Sequence, residues 1–360
     1  MTQSVSALPS GRVRPEFFAP AHLAADHPPQ LFIVVDTEEE FDWSAPYSRA
    51  NVSVTAIDEV GRLQDVLRPY RIKPTYVIDY PVATTVESAR RLARFAGRDE
   101  CQIGAHLHPW VNPPATEQLG PVTSYACNLG ADLERAKISQ LSEAIHTNLG
   151  VRPRVYKAGR YGFGRTTAEA LETLGFDVDV SVNPHMDFRD DGGPSFEGFA
   201  ATPGWFGKKR RLLEVPCTTA FVGTARHMGT TLHRAASARW LRSFKAVGVL
   251  ARTGTLNKIM LSPEGSTYDE MIAVTDTLVD DGVRTLSLTF HSPSLKPGCT
   301  PYVRTAGERD TFLKTIDRYC DYFLTTLRGV PGTPVGLFDQ LTPQGSELQT
   351  SDLGSRTATL

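Results

Sequence analysis

Strand and helix signals alternate from Leu31 to Leu327 without a composition break, and this rhythm restricts the fold more than any other feature of the chain. Short apolar runs read as strands at Leu31 to Val35, Lys73 to Asp79, Cys101 to Leu107, Arg154 to Ala158, Phe176 to Val182, Leu212 to Val215, Ile259 to Leu261 and Thr285 to Phe290. Between them apolar residues recur at helical spacing, as in Ile57, Val60, Leu63, Val66 and Leu67, where Pro69 stops the run. Strands separated by helices pair in parallel, because a parallel neighbour is reached only by a crossover. The expectation is one α/β domain, a single (β/α) barrel with long loops, rather than two independent units.

The boundaries follow from where the rhythm starts and stops. Residues 1–30 read as an irregular leader, 31–330 as the barrel, and 331–360 as a C-terminal extension that is disordered after about residue 344, where Ser, Thr and Gly dominate. Two stretches inside the barrel lack periodicity, 109–130 and 183–211. Long loops of that kind in a compact domain are usually functional.

Charge excludes some partners. The 38 basic and 40 acidic residues leave a net charge of -2 with no long basic run, which argues against nucleic acid. Five widely spaced cysteines without a C-x-x-C pair suit reduced thiols, and no stretch has the length of a membrane span. The first thirty residues lack the apolar core of a signal peptide, so the expected location is cytoplasmic. Oligomeric state is not legible.

Chemistry collects at strand ends. Parallel barrel strands point their C-terminal ends at one face, so Asp36 and Glu38, His106 and His108, Lys157 and Arg160, and His291 are expected to share one mouth. His106 and His108 lie two apart, and alternate residues of a strand face the same way, so both imidazoles can reach one ion. With a carboxylate from another strand end they form an open three-ligand set of the kind that binds Zn²⁺ or a six-coordinate metal. Asp36 and Glu38 are also two apart, so one can hold metal while the other serves as general base. His291 is placed to protonate a leaving group from the other side.

Taken together, the order of motifs resembles the polysaccharide deacetylase superfamily, carbohydrate esterase family 4, which includes the chitooligosaccharide deacetylases. Phe41, Asp42 and Trp43, H-L-H-P-W at His106 to Trp110, A-G-R-Y-G at Ala158 to Gly162, and F-H-S-P-S-L-K-P-G at Phe290 to Gly298 are most similar to a subgroup found with bacterial cell-surface polysaccharide genes. The resemblance implies a distorted (β/α)7 barrel holding one divalent metal, Zn²⁺ first and Co²⁺, Mn²⁺ or Ni²⁺ as alternatives. It implies hydrolysis of an N-acetyl amide on an amino sugar in a polysaccharide, oligosaccharide or glycan precursor.

By the same resemblance Asp36 is the base and Glu38 the acidic ligand, with Glu40 as the alternative ligand if the chain turns sharply. His106 and His108 are the imidazole ligands, although the family spaces this pair four apart. Lys157 falls where the family has an Arg that holds the base, and Arg160 is the alternative holder, since Lys lacks the bidentate fork. Tyr161 is the candidate backbone donor to the oxyanion, His291 the acid, and Asp179 its candidate partner. Trp43, Trp110, Tyr161 and Tyr302 are candidate platforms for a pyranose ring.

Two other readings differ in class. An amidohydrolase-type barrel also uses an H-x-H pair, but on its first strand, where this chain has carboxylates. A non-catalytic glycan-binding or scaffold protein could keep the barrel without the reaction, and the unusual histidine spacing and Lys157 are the features that favour it.

Overall fold

The computed structural model describes residues 12–236 and 246–342. Its strands are β1 (Ala19–Pro20), β2 (Gln30–Thr37), β3 (Thr75–Ile78), β4 (Gln102–Leu107), β5 (Val155–Ala158), β6 (Val178–Asp179), β7 (Gly204–Phe206), β8 (Leu212–Glu214), β9 (Thr219–Val222), β10 (Asn257–Met260), β11 (Thr285–His291) and β12 (Val330–Pro331). Neighbours run β1-β7-β8-β6-β5-β4-β3-β2-β11, with β12 beside the start of β2. From β8 to β11 all pairings are parallel, giving the seven-stranded curl of a distorted (β/α)7 barrel. The arc from β11 back toward β6 is spanned by a few backbone bonds instead of a ladder. Thr289 N–H donates to Leu261 O (3.2 Å), Leu261 N–H to Thr218 O (2.8 Å) and Cys217 N–H to Val182 O (2.8 Å).

Period-two alternation sorts the strand residues into two cores. Leu31, Ile33, Val35, Tyr76, Ile78, Ile103, Ala105 and Tyr156 face outward to the helices, among them Val86–Gly97, Ala131–Leu149 and Ala306–Asp321. Phe32, Val34, Val77, Val155, Val178, Leu213 and Val215 fill the inside of the curl. Burying each such side chain contributes about 1.5–3 kcal/mol, so this alternation fixes the register strongly. The inside is completed by Val335 and Leu337 of helix Pro334–Leu341. This last helix follows β12 and is capped by Thr333, whose hydroxyl accepts the Gly336 N–H (3.1 Å).

The leader contributes structure. β1 pairs antiparallel with β7, and Phe17 and Phe18 pack edge-on or tilted against Phe163 and Phe206. The irregular stretch 183–211 includes β7, which returns antiparallel on β8, and the expected strand Phe176 to Val182 contracts to the two residues of β6. β10 matches the strand expected at Ile259 to Leu261, whereas β9 and its antiparallel pairing with β10 are additional, and helices Gly229–Ala236 and Ala246–Arg252 lie between the two. The middle of the basic helix expected over 232–251, and the tail expected to be disordered after about 344, lie outside the described residues. No helix among the described residues is long and apolar enough to cross a membrane.

Candidate active site

Sheet register decides which side chains meet. Asp36 on β2 is paired with His291 on β11, and His106 on β4 with Lys157 on β5. All four lie at the C-terminal end of the curl. Gly104 shares the inward face with His106, and a Cβ there would stand 2.9 Å from both Val155 O and Val77 Cγ1, so the strands close tightly just beneath the site. Gly159 does the same above it, where a Cβ would approach His108 Cδ2 to 2.5 Å.

Asp36 and Lys157 form a buried ion pair. Lys157 Nζ donates to Asp36 Oδ1 (2.6 Å) and Oδ2 (2.8 Å), and both residues are almost fully enclosed. Burial alone would raise the Asp36 carboxyl, but the Lys157 ammonium, helped by His106 and His291, outweighs it and holds the group below its ordinary range. Burial opposes the Lys157 charge in turn, and Asp36 more than restores it. Arg160, the alternative holder of Asp36, points elsewhere. It donates to Ser124 Oγ (2.7 Å) and to Asp191, and lies 4.3 Å from the Tyr125 ring centroid. Its backbone explains the divergence, since Arg160 (φ 53°) and Tyr161 (φ 60°) are both left-handed and swing the chain away from the strand direction.

Glu38, His106 and His108 converge on one point. Glu38 Oε2 lies 3.4 Å from His106 Nε2 and 3.3 Å from His108 Nε2, and all three residues are buried. Ligands about 2.0–2.1 Å from a tetrahedral Zn²⁺ are separated by about 3.3–3.4 Å, so these spacings suit one ion. The far nitrogens are engaged. His106 Nδ1 is 3.2 Å from Lys157 O, and His108 Nδ1 is 2.7 Å from Glu39 Oε2. A carbonyl oxygen only accepts, so His106 carries its proton on Nδ1 and presents a lone pair on Nε2. Lone pairs facing a carboxylate oxygen repel unless a cation lies among them, and the donor set therefore fits a metal. Burial would lower His108, but Glu39 and Glu38 raise it well above the usual imidazole range, so without a cation it takes up a proton instead.

Glu40, the alternative ligand, turns away and accepts from Ser53 Oγ (2.6 Å), Thr55 Oγ1 (2.6 Å) and the Ala56 N–H (2.5 Å). It fastens the following loop.

His291 stands beside Asp36 on the neighbouring strand, with Nε2 3.8 Å from Asp36 Oδ2. Its partner is Glu264 and not Asp179. Glu264 Oε2 lies 2.7 Å from His291 Nδ1, its other oxygen accepts the His291 N–H (3.1 Å), and Ser294 Oγ also donates to it. Burial lowers the imidazole, but Glu264 and Glu38 push it up to about 10, so it is a proton donor at neutral pH. Asp179 accepts from the Ser181 N–H (2.9 Å) and Oγ (2.8 Å), and burial raises it to about 6 although the contacts with Glu214 and Ser181 pull it down. Glu264 lies three residues past the strand end expected at Leu261, just beyond the positions that point to Asp36, His106 and His291.

The aromatic candidates separate. Trp43 (39% exposed) and Tyr302 (43%) lie 5.8 Å apart at the mouth, and Trp43 is 5.0 Å from the His291 ring. Tyr161 stacks on Phe188 (5.4 Å) and lies over Lys157. Trp110 is not a sugar platform. It is 1% exposed, with one neighbour stacked at 4.2 Å (His108) and another at 4.8 Å (Tyr47), and its Nε1–H donates to Glu39 Oε1 (2.7 Å). All five cysteines are unpaired.

No family model matches the chain, and no curated protein matches it. Among solved structures, a Mycobacterium smegmatis protein assigned to the polysaccharide deacetylases superposes with a TM-score of 0.51 at 14% identity, over 92% of this chain and 98% of that one. Weaker likenesses include a family 4 carbohydrate esterase from Streptomyces lividans in complex with acetate, with a TM-score of 0.41 at 10% identity over 85% of this chain and 92% of that one. Another is a family 4 acetyl xylan esterase from Clostridium thermocellum in complex with a cobalt ion, with a TM-score of 0.39 at 12% identity over 86% and 91%. On the first of these likenesses, the chain has the polysaccharide deacetylase fold, and that fold carries a buried Glu/His group able to hold a metal ion.

Proposed function

We propose that this chain is a metal-dependent hydrolase that removes the acetyl group from an N-acetylated amino sugar in a glycan or glycan precursor. One observation carries the reading: a carboxylate held ionised by Lys157 and an imidazole held protonated by Glu264 face each other beside the Glu38, His106 and His108 group. Base and acid with opposite protonation states at neutral pH are what amide hydrolysis requires.

A divalent ion held by Glu38, His106 and His108, with Zn²⁺ preferred and Co²⁺, Mn²⁺ or Ni²⁺ as alternatives, would supply Lewis-acid polarisation of the acetyl carbonyl. Asp36 takes a proton from the attacking water, and Lys157 keeps it available for that task. The backbone at Tyr161, forced into the left-handed region, offers an N–H to the developing oxyanion. His291 gives its Nε2 proton to the departing nitrogen, so that the C–N bond breaks to acetate and a free amine. Trp43 and Tyr302, on the His291 side, provide faces for the sugar that carries the amine. Five unpaired cysteines support a reducing, cytoplasmic setting, where a precursor is the fitting substrate.

Acetate release is the test. Wild type is screened against acetylated amino sugars, free and lipid-linked, with added Zn²⁺, Co²⁺ or Mn²⁺, beside Asp36→Asn and His291→Ala. Release that depends on metal and falls by at least a hundredfold in both variants supports the assignment. Activity that survives both substitutions sinks it, and glycan binding without turnover in any metal replaces it with the non-catalytic reading.

A further inference from the structure

His108 is gripped from both ring nitrogens by consecutive residues. Glu38 Oε2 lies 3.3 Å from Nε2, and Glu39 Oε2 lies 2.7 Å from Nδ1. Glu39 is fully buried, and such a carboxylate persists only when its oxygens are satisfied. Both are: Oε2 by His108 and Oε1 by the Trp110 indole N–H at 2.7 Å. Its backbone N–H in turn donates to Asp79 Oδ2 (2.6 Å), while Asp79 Oδ1 accepts the Val82 N–H (2.8 Å) at the start of helix Tyr80–Thr84. An unbroken set of hydrogen bonds therefore runs from a helix terminus to one imidazole. Glu39, Asp79 and His108 are close enough to be mistaken for a second cation site, but their polar atoms are already bonded to one another and to Trp110.

His106 is supported differently. Its Nδ1 meets only the neutral carbonyl of Lys157, at 3.2 Å. A carboxylate behind an imidazole fixes the tautomer and makes the opposite nitrogen more basic, whereas a carbonyl does so more weakly.

We infer that Glu39, anchored by Trp110 and Asp79, is a positioning residue for the metal centre that makes His108 the dominant imidazole ligand. This rests on the reading of Glu38, His106 and His108 as a metal site. Glu39→Gln keeps the shape and removes the charge. Trp110→Phe keeps the ring against His108 and removes one donor from Glu39.

Zn²⁺ is titrated calorimetrically into chelator-stripped wild type, Glu39→Gln, Trp110→Phe, His108→Ala and His106→Ala, and the metal-free melting temperature of each is recorded. Expected are a dissociation constant raised roughly 10- to 100-fold in Glu39→Gln, a smaller rise in Trp110→Phe, and a larger loss in His108→Ala than in His106→Ala. A second readout covers the case where Glu39→Gln does not fold. In zinc-loaded wild type the His108 ring should show a protonated, slowly exchanging Nδ1 by ¹⁵N NMR. Wild type that binds Zn²⁺ while Glu39→Gln binds it equally well overturns this inference and leaves the metal site standing, whereas a His108 proton found on Nε2 in the zinc-loaded protein overturns both, because a protonated nitrogen cannot hold the ion. Wild type that binds no Zn²⁺ overturns both.

Discussion

Lys157→Met isolates the physical requirement behind the proposed base. In the wild type one ammonium spans both oxygens of Asp36 at 2.6 and 2.8 Å, with Lys157 1% and Asp36 4% exposed. At that separation the gross attraction is about 6 kcal/mol with an effective dielectric constant of 20, much of it offset by desolvating both ions. Removing the lysine keeps the desolvation cost of Asp36 and deletes its largest compensation, so the expected loss is roughly 3–5 kcal/mol at pH 7. The pH dependence gives the sign. Asp36 now has a folded pKa below its unfolded value, so its contribution is present above the unfolded pKa and lost as pH falls through the folded one. In Lys157→Met burial dominates and the shift reverses, so the deficit against wild type shrinks as the medium is acidified and Asp36 takes a proton. Urea denaturation of chelated protein at pH 7 and pH 4.5 measures both effects. Asp36→Asn/Lys157→Met, with no uncompensated charge, should be more stable than Lys157→Met alone by at least about 1 kcal/mol. A single variant that loses under 1 kcal/mol, or a double variant that loses the sum of both singles, would refute the buried-pair argument.

Three further outcomes follow from the same geometry. Glu264→Gln removes the charge that holds the His291 imidazole up at about 10, so the alkaline limb of kcat/KM moves to lower pH, with kcat at pH 8 down roughly 10- to 100-fold. Trp43→Ala deletes a stacking face at the mouth worth about 0.5–1.5 kcal/mol, and should raise KM for a glycan substrate roughly 2- to 10-fold with little change in kcat. Glu134, buried on helix Ala131–Leu149 with its carboxyl raised to about 7 by burial in spite of the lowering Thr166 and Thr167 hydroxyls, contributes stability present below the unfolded pKa and lost as pH rises through 7. Glu134→Gln should therefore match wild type near pH 4 and exceed it by about 1–3 kcal/mol at pH 8, read from melting curves at the two pH values.

What could be read from sequence was what periodicity controls. Strand-end placement located Asp36, Glu38, His106, His108, Lys157 and His291, because parallel strands deliver their last residues to one face whatever the loops do. The same logic stopped short at Glu264, three residues beyond Leu261, since no rule says how far a turn carries a side chain back toward the barrel axis. Glu39 was passed over because a run of three glutamates reads as a solvated loop, and its burial comes from Trp110 and Asp79, which are distant in sequence. Trp110 lies beside a motif as a platform would, and only the tertiary structure shows it buried against His108 and Tyr47. Arg160 failed as the alternative holder of Asp36 because two successive left-handed residues cannot be foreseen where neither is glycine. The short strands β1, β7 and β12 escaped for a simpler reason: two or three residues carry no period.

The most direct measurement is acetate release as a function of metal equivalents added to chelator-stripped protein. The proposed centre holds one ion through Glu38, His106 and His108, so activity on an acetylated amino sugar should be absent from the stripped protein, rise linearly, and reach its plateau at about one equivalent. Full activity in the stripped protein, or a plateau only at two equivalents, would contradict it.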